Sequence, residues 1–209
     1  MNMEQHDKLF EENSKLKKKL RTLMEDYKSL TRVNTDLKNN IFIDDVTLLY
    51  NNRYLNIRLD EEMKRAKRYT QFLSIVLISV DSLTEEIKKS GLESVAEKLR
   101  RFGDFIRANL RDTDILSQLK PGVLALILPE TNLDGASSLS ERLKEQIILA
   151  YSNFDSANPN QEKALSIGIA SYPTDARMIE ELLYKGTEML ERSKNSPANA
   201  ICSSLGGTQ

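Results

Sequence analysis

The sequence is short of the residues that build metal centres and covalent crosslinks. It contains no tryptophan, one cysteine (Cys202) and one histidine (His6) among its 209 residues. A single cysteine excludes a disulfide within the chain and is typical of a reducing compartment. One cysteine and one histidine are too few for a zinc site. We therefore predict no metal site and no cofactor.

The sequence also lacks an excess of either charge and any long apolar segment. Its 30 basic and 31 acidic side chains nearly cancel, which gives a formal charge of -1. This balance does not favour nucleic acid or an anionic membrane as a partner, so an anionic ligand would have to be bound by a local cluster. No apolar run approaches the length of a membrane span or a signal-peptide core. We expect a cytoplasmic protein without membrane insertion.

The strongest periodic pattern lies in residues 4–41. Leucine recurs there every seven residues, which places it at each d position of a heptad. Asparagine at two a positions can pair with its own copy across a seam, which favours a parallel homodimer and fixes its register. We predict a parallel dimeric coiled coil over residues 1–43; the alternative is a helix folded back on its own domain. The predicted dimerisation residues are Leu9, Asn13, Leu16, Leu20, Leu23, Tyr27, Leu30, Asn34 and Leu37.

The pattern changes after the heptads. The pair Asn51-Asn52 can cap a helix that runs to about Tyr69. The nearly continuous apolar run of residues 72–80 predicts a central strand covered on both faces. A short helix begins at Ser82 and ends at Gly91. A further helix then carries apolar residues at helical spacing, namely Leu92, Val95, Leu99, Phe102 and Ile106.

Two apolar runs that flank Lys120-Pro121-Gly122 predict a β-hairpin. Proline presets φ for a turn and glycine tolerates positive φ, so the chain reverses there. Arg111 and Asp114 precede the first strand as an R-x-x-D motif. Thr131 and Asp134 form a capping-box pattern that opens a helix. The predicted inward residues of that helix are Ala136, Leu139, Leu143, Ile147 and Ile148.

The C-terminal third predicts two further strands and a helix. Residues 151–161 are rich in asparagine and indicate a loop, and residues 165–170 alternate as a half-buried strand would. Thr174 can cap the last helix. Ala200-Ile201-Cys202 predicts an edge strand, and residues 203–209 predict a loose tail.

This order of elements predicts an α+β domain over residues 44–202, in which helices flank a mostly antiparallel central sheet. Residues 44–55 are similar to the motif D-x-L-T-G-L-x-N-R-R of the GGDEF family, the diguanylate cyclases that join two GTP molecules into cyclic di-GMP. The resemblance covers residues 44–201 and implies a nucleotidyl-cyclase-like fold. Further segments that carry it are Val80-Asp81, Gly91, Leu99, 128–131, 166–170, Ser193-Lys194 and Asn199.

The catalytic positions of the family are replaced in this chain. The GG[D/E]EF signature, whose carboxylates hold Mg²⁺ in the family, corresponds to residues 120–124, Lys-Pro-Gly-Val-Leu. The other metal-binding Asp of the family corresponds to Ser79, and its phosphate-binding Lys to Thr84. Its guanine-binding Asn and Asp correspond to Ile87 and Ala96. Because Mg²⁺ ions on a triphosphate need charged oxygen ligands, the resemblance implies a degenerate domain that is not an enzyme.

A different site of the family is retained. In many members an R-x-x-D motif before the signature, with an arginine on the helix after the hairpin, forms an inhibitory site for cyclic di-GMP. Arg111, Asp114 and Arg142 occupy these positions. A guanidinium matches a phosphate or the O6 and N7 edge of guanine, and a carboxylate accepts from N1 and N2. The resemblance thus implies a cyclic di-GMP receptor whose dimer geometry is detected by an unidentified protein partner.

Three alternatives remain open from the sequence. Arg111 and Asp114 can be an ordinary surface ion pair, which contributes little by itself. The chain can be a ligand-independent dimeric scaffold that recruits a partner protein. It can also be a GTP-binding regulator with residual cyclase activity.

Overall fold

The computed structural model describes residues 3–154, 165–196 and 200–204. The chain divides into two compact units, Met1–Ile41 and Phe42–Gln209.

The first unit is formed by helix α1 (Met3–Phe42), whose final residue belongs to the second unit. The described d-position leucines of α1, from Leu16 to Leu37, are 57% to 69% exposed. The side chains of Leu9 and Asn34 are not among those that the structure describes. None of the described helices is long and apolar enough to cross a membrane. The exposed leucines are consistent with a seam for another helix, and the coiled coil stays a prediction.

The second unit is built on a five-stranded sheet in the order β2-β3-β1-β4-β5. All its pairings are antiparallel except that between β4 and β5. The strands are β1 (Leu73–Val80), β2 (Ile115–Lys120), β3 (Val123–Pro129), β4 (Leu165–Tyr172) and β5 (Ile201–Cys202). The helices are α2 (Asn52–Tyr69), α3 (Asp81–Ser90), α4 (Ala96–Arg107), α5 (Leu133–Phe154) and α6 (Ile179–Lys194), with a 3₁₀ turn at Glu93–Val95.

The strand β1 lies at the centre and is buried along its whole length. Val76 and Ile78 face a core that α4 and α5 cover, whereas Ile75 and Leu77 face a core that α2 and α6 cover. Helices therefore flank both faces of the sheet, which confirms the predicted α+β architecture. The α2 boundary is also as predicted, because the Asn51 side chain accepts from the Tyr54 backbone N–H at 3.1 Å.

The prediction that residues 165–170 form a half-buried strand was wrong. Residues 165–171 of β4 are all buried, because α6 packs directly on one face of the strand and α5 covers the other. A Cβ at Gly168 would lie 2.6 Å from the Gly186 carbonyl oxygen, so the absence of a side chain there permits this close approach.

The helix α5 begins and ends differently from the prediction. Its cap is Asn132, whose Oδ1 accepts from the Gly135 N–H at 2.9 Å, whereas the Thr131 hydroxyl donates to the Pro129 carbonyl. Ile148, predicted to face inward, is 38% exposed. The helix also extends to Phe154, so the predicted loop begins too early. The rest of that loop, residues 155–161, lies outside the described residues.

The last helix also starts later than its predicted cap. Thr174 lies in a turn in which the Asp175 carboxylate accepts from the Ser171 N–H at 2.7 Å. The helix α6 follows Met178, whose backbone is extended and whose side chain makes no capping hydrogen bond. The predicted edge strand is present as β5. Of the predicted tail, residues 205–209 lie outside the described residues, as does Asn199.

Candidate nucleotide-binding site

Residues 120–124, which correspond to the GG[D/E]EF signature of the family, lie at the turn between β2 and β3. Lys120 pairs with Val123, so Pro121 and Gly122 form the turn, as predicted. Gly122 adopts a φ of 78°, a conformation in which a side chain is disfavoured. A Cβ added at Gly122 would lie 2.9 Å from the Thr84 Oγ1. The turn therefore packs closely on α3 and leaves little space for a larger residue.

The small polar residues beside this turn bond to one another. Ser79, the last but one residue of β1, lies 3.2 Å from Thr84 between their hydroxyl oxygens. The Thr84 hydroxyl is also 3.2 Å from the Val80 carbonyl oxygen, to which it can donate. The side chain of Asp81 lies outside the described residues. Among the residues that the structure describes, no three acidic, His or Cys side chains cluster in a way that could hold a metal ion.

The R-x-x-D residues lie in the loop that joins α4 to β2. The Asp114 carboxylate accepts from the Arg111 backbone N–H at 2.9 Å, and the Asp114 N–H donates to the Arg111 carbonyl at 3.0 Å. These two hydrogen bonds close the turn from both ends. The Arg111 side chain is exposed, so its guanidinium remains accessible to a ligand. Asp114 is half-buried and directly precedes β2.

The partial burial of Asp114 changes its acidity. Burial raises the pKa of the Asp114 carboxyl, while the hydrogen bond from the Arg111 backbone and the Arg111 charge act in the opposite direction. Burial is the larger effect, because a carboxylate loses hydration when it leaves water.

The third predicted site residue reaches the same loop from another helix. The Arg142 Nη2, on α5, donates to the Asn109 carbonyl oxygen at 3.2 Å. The Asn109 side chain in turn donates from Nδ2 to the Phe105 carbonyl at 2.9 Å. Asn109 precedes Arg111 by two residues, so α5 brings a second guanidinium to the R-x-x-D loop. Asn109 was not predicted as a site residue, although asparagine is favoured just past helix ends.

The N-terminal turn of the domain is held by Asp44. Its Oδ1 accepts from both the backbone N–H and the hydroxyl of Thr47, at 2.8 and 2.7 Å. The backbone of Asp44 also pairs with Leu49, whose carbonyl accepts from the Asp44 N–H at 2.8 Å.

This N-terminal turn is attached to the strand that follows the R-x-x-D loop. The Gln118 side chain donates to Asp44 at 3.3 Å, and the Gln118 N–H donates to the Tyr50 carbonyl at 2.6 Å. Arg100 adds a hydrogen bond from Nε to the Val46 carbonyl at 2.6 Å. The roles of Gln118 and Arg100 were also not predicted from the sequence, because neither residue type by itself indicates a contact with a distant part of the backbone.

Several known proteins resemble this chain in sequence over more than half of its length. The chain is 28% identical over 160 residues to the response regulator PleD of Caulobacter vibrioides, an alignment that covers 76% of this chain and 35% of PleD. The curated relatives that it matches are longer, and the chain spans 25% to 53% of their length.

Two solved structures share the fold at lower identity. Diguanylate cyclase SiaD of Pseudomonas aeruginosa, in complex with its activator SiaC, matches with a TM-score of 0.68 and 22% identity over 96% of this chain and 78% of SiaD. The coiled coil and GGDEF domain of DgcB from Caulobacter crescentus, in complex with c-di-GMP, matches with a TM-score of 0.73 and 13% identity over 90% and 99% of the two chains.

The family itself is shown by a match that extends over most of the chain. The sequence model described as "Diguanylate cyclase, GGDEF domain" aligns with residues 41–200, a range that includes β1 to β4 and ends just before β5. The chain therefore belongs to the GGDEF family.

Proposed function

We propose that this chain is a catalytically inactive GGDEF protein that binds cyclic di-GMP through Arg111, Asp114 and Arg142. It acts in the cytoplasm as a coiled-coil homodimer, and ligand binding changes the geometry of the dimer for a protein partner. The main support for the proposal is that the Arg142 side chain reaches the R-x-x-D loop. The turn at the signature position, by contrast, has no carboxylate side chain.

The proposed loss of cyclase activity rests on the turn at Gly122. Two Mg²⁺ ions on a triphosphate need oxygen ligands that carry charge, and Lys120-Pro121-Gly122-Val123 offers none in its side chains. Thr84 and Ile87 would lie 2.9 and 3.2 Å from a Cβ at Gly122. The space into which an acidic side chain would extend is thus already occupied.

The binding proposal rests on the chemistry of the three site residues. Two guanidinium groups can contact phosphate oxygens or the O6 and N7 edge of guanine with charge-assisted hydrogen bonds. The Asp114 carboxylate can accept from the N1 and N2 hydrogens of the same base. These contacts need no metal ion.

Dimerisation is supported by the exposed leucines of α1 and by the presence of a coiled coil in the DgcB structure. Two copies of the site on one dimer would raise the effective concentration of one site for a ligand already held by the other. The SiaD structure contains a protein activator, which supports the binding of a protein partner to a domain of this fold.

Isothermal titration calorimetry of the full chain with cyclic di-GMP tests the binding proposal. We expect a micromolar Kd for the wild type and no detectable binding for Arg111→Ala. Arg107→Ala is the matched control, since Arg107 is an exposed arginine of α4 that is 3.8 Å from Asp104. Absence of heat from the wild type, or equal binding by Arg111→Ala, contradicts the proposal. Incubation with GTP and Mg²⁺ should yield no cyclic di-GMP by nucleotide chromatography.

A ligand-independent scaffold is the second candidate function. It is favoured by the contacts that the site residues already make, because Asp114 closes its own turn and Arg142 binds a backbone carbonyl. Under this alternative the three residues stabilise the α4–β2 loop, and the coil and domain surfaces recruit a partner without a nucleotide.

A further inference from the structure

Asn109, which lies just past the end of α4, is bonded to that helix at two points. Its N–H donates to the Ile106 carbonyl oxygen at 2.9 Å, and its Nδ2 donates to the Phe105 carbonyl oxygen at 2.9 Å. Both acceptors belong to the last four carbonyl groups of the helix, which lack a regular partner within it. Asn109 is half-buried. Its position is therefore fixed by its side chain as well as by its backbone.

The carbonyl group of Asn109 holds the guanidinium of Arg142. The Arg142 Nη2 donates to the Asn109 carbonyl oxygen at 3.2 Å, although Arg142 is an exposed residue of another helix. This oxygen lies at the C-terminal end of α4, where the helix dipole favours a positive charge. An exposed arginine without such a contact would occupy many rotamers. The contact keeps this guanidinium beside the loop that contains Arg111.

We infer that Asn109 is a positioning residue of the proposed cyclic di-GMP site. Its amide fixes its carbonyl group, and the carbonyl group holds Arg142 in place for the ligand. A guanidinium has five N–H donors, and the contact with Asn109 uses one of them, so Arg142 can keep this contact and also bind a phosphate or a guanine. A side chain that is already ordered loses less entropy when the ligand binds. This inference rests on the proposed function.

A second asparagine in the chain provides a matched control. The Asn195 Nδ2 donates to the Glu191 carbonyl oxygen at 2.9 Å, which is the same contact with the carbonyl four residues earlier, at the end of α6. The helix α6 contributes no residue to the proposed site. Replacement of either asparagine by alanine therefore removes the same kind of helix-end hydrogen bond, but only the change at Asn109 should affect the ligand.

Isothermal titration calorimetry of the full chain with cyclic di-GMP tests the inference. We expect Asn109→Ala to raise the Kd by about threefold to tenfold, with a less favourable binding entropy, because Arg142 then has to be ordered by the ligand. Asn195→Ala should bind as the wild type does. Asn109→Ser should restore most of the affinity, because a serine hydroxyl can make the same contact. Ser196 already donates in this way to the Arg192 carbonyl oxygen, at 2.8 Å.

A double-mutant cycle tests whether Asn109 acts through Arg142. In the Arg142→Ala background, Asn109→Ala should leave the Kd unchanged, since no guanidinium remains to be positioned. If Asn109→Ala binds as the wild type does, or weakens binding equally in both backgrounds, the positioning role is overturned and the receptor proposal stands. A wild type that binds no cyclic di-GMP overturns the receptor proposal and the positioning role together.

Discussion

Arg142 and Asn109 link two elements that are separated by the whole β2–β3 hairpin in sequence. The Arg142 guanidinium, on α5, donates to the Asn109 carbonyl at 3.2 Å. The Asn109 amide is itself fixed by a hydrogen bond to the Phe105 carbonyl at 2.9 Å. A long, flexible side chain is thereby held beside the R-x-x-D loop before any ligand arrives, which lowers the entropy that binding would otherwise lose.

Replacement of Arg142 by alanine should weaken cyclic di-GMP binding without unfolding the domain. A charged hydrogen bond to a ligand contributes about 1.5–3 kcal/mol, so we expect the Kd to rise by about tenfold to a hundredfold. The measurement is calorimetry on the full chain. Arg101→Ala, which removes an exposed arginine paired with Glu97 at 2.5 Å, serves as the control and should bind normally. Unchanged affinity in Arg142→Ala would show that α5 takes no part in binding.

Two substitutions at Asp114 should separate its structural role from its proposed binding role. Asparagine keeps an oxygen that can accept from the Arg111 N–H, so Asp114→Asn should change the free energy of unfolding little. It replaces an acceptor for the guanine N1 and N2 hydrogens with a donor, so binding should be lost. Asp114→Ala removes both the acceptor for the Arg111 N–H and the acceptor for guanine, and it should also destabilise the chain by about 1 kcal/mol. Urea unfolding and calorimetry measure the two effects, and retained binding by Asp114→Asn contradicts the proposed role.

The pH dependence of stability should report the burial of Asp114. Its pKa is raised above the usual value of 3.8, so the native chain holds this proton more tightly than the unfolded chain does. The contribution of Asp114 to stability is therefore greatest below pH 3.8 and declines as pH rises through the native pKa. The unfolding free energy of the wild type minus that of Asp114→Asn should therefore fall as pH rises from 3.8 through the native pKa. A difference that grows with pH would contradict the assigned cause.

Gly122 and Gly91 form a matched pair for the close packing of the signature turn. Both have positive φ, 78° and 84°, but a Cβ at Gly91 meets nothing within 4 Å. Gly91→Ala should therefore suffer only the backbone penalty, which is about 1–3 kcal/mol for a non-glycine residue with this φ and a ψ of 168°. Gly122→Ala adds a clash with Thr84 and should lower the unfolding free energy by more. Equal losses of unfolding free energy in the two variants, measured by thermal or urea unfolding, would show that the space beneath the turn is open.

A charge in the seam of α1 should abolish the dimer. Leu23 is a d position and is 69% exposed, so Leu23→Asp would bury two like charges in a coiled coil. Light scattering should then report about the mass of one chain, where the wild type gives about twice that mass. Lys18→Asp, at an outward f position of the same helix, is the control and should remain dimeric. A wild type with the mass of one chain contradicts the coil.

Local sequence patterns predicted most of the fold, because the spacing of apolar residues reflects which side chains are buried. The apolar run of β1 is covered on both faces, and the Pro121-Gly122 turn joins β2 to β3 as expected. The errors arose where burial depends on a distant element. Serine and glycine in β4 resemble an exposed face in sequence, yet α6 covers them at Gly168. Short polar residues such as Thr174 have equal propensity for turns and caps, so sequence alone could not choose between them.

The candidate site was predictable only through family resemblance. Periodicity does not indicate that Arg142 reaches a loop 33 residues earlier in the chain, at Asn109. The spacing of Arg111 and Asp114 was visible, but their mutual contact runs through the backbone. The attachment of Gln118 to Asp44 spans 74 residues and likewise depends on the folded sheet.

A crystal of the full chain soaked with cyclic di-GMP is the decisive test of the receptor function. We predict electron density for the dinucleotide between the R-x-x-D loop and α5, with Arg111 and Arg142 on phosphate or the guanine O6 and N7 edge and Asp114 on N1 and N2. An accessible site that remains empty, with Arg142 still on Asn109, would contradict the receptor function and favour the scaffold.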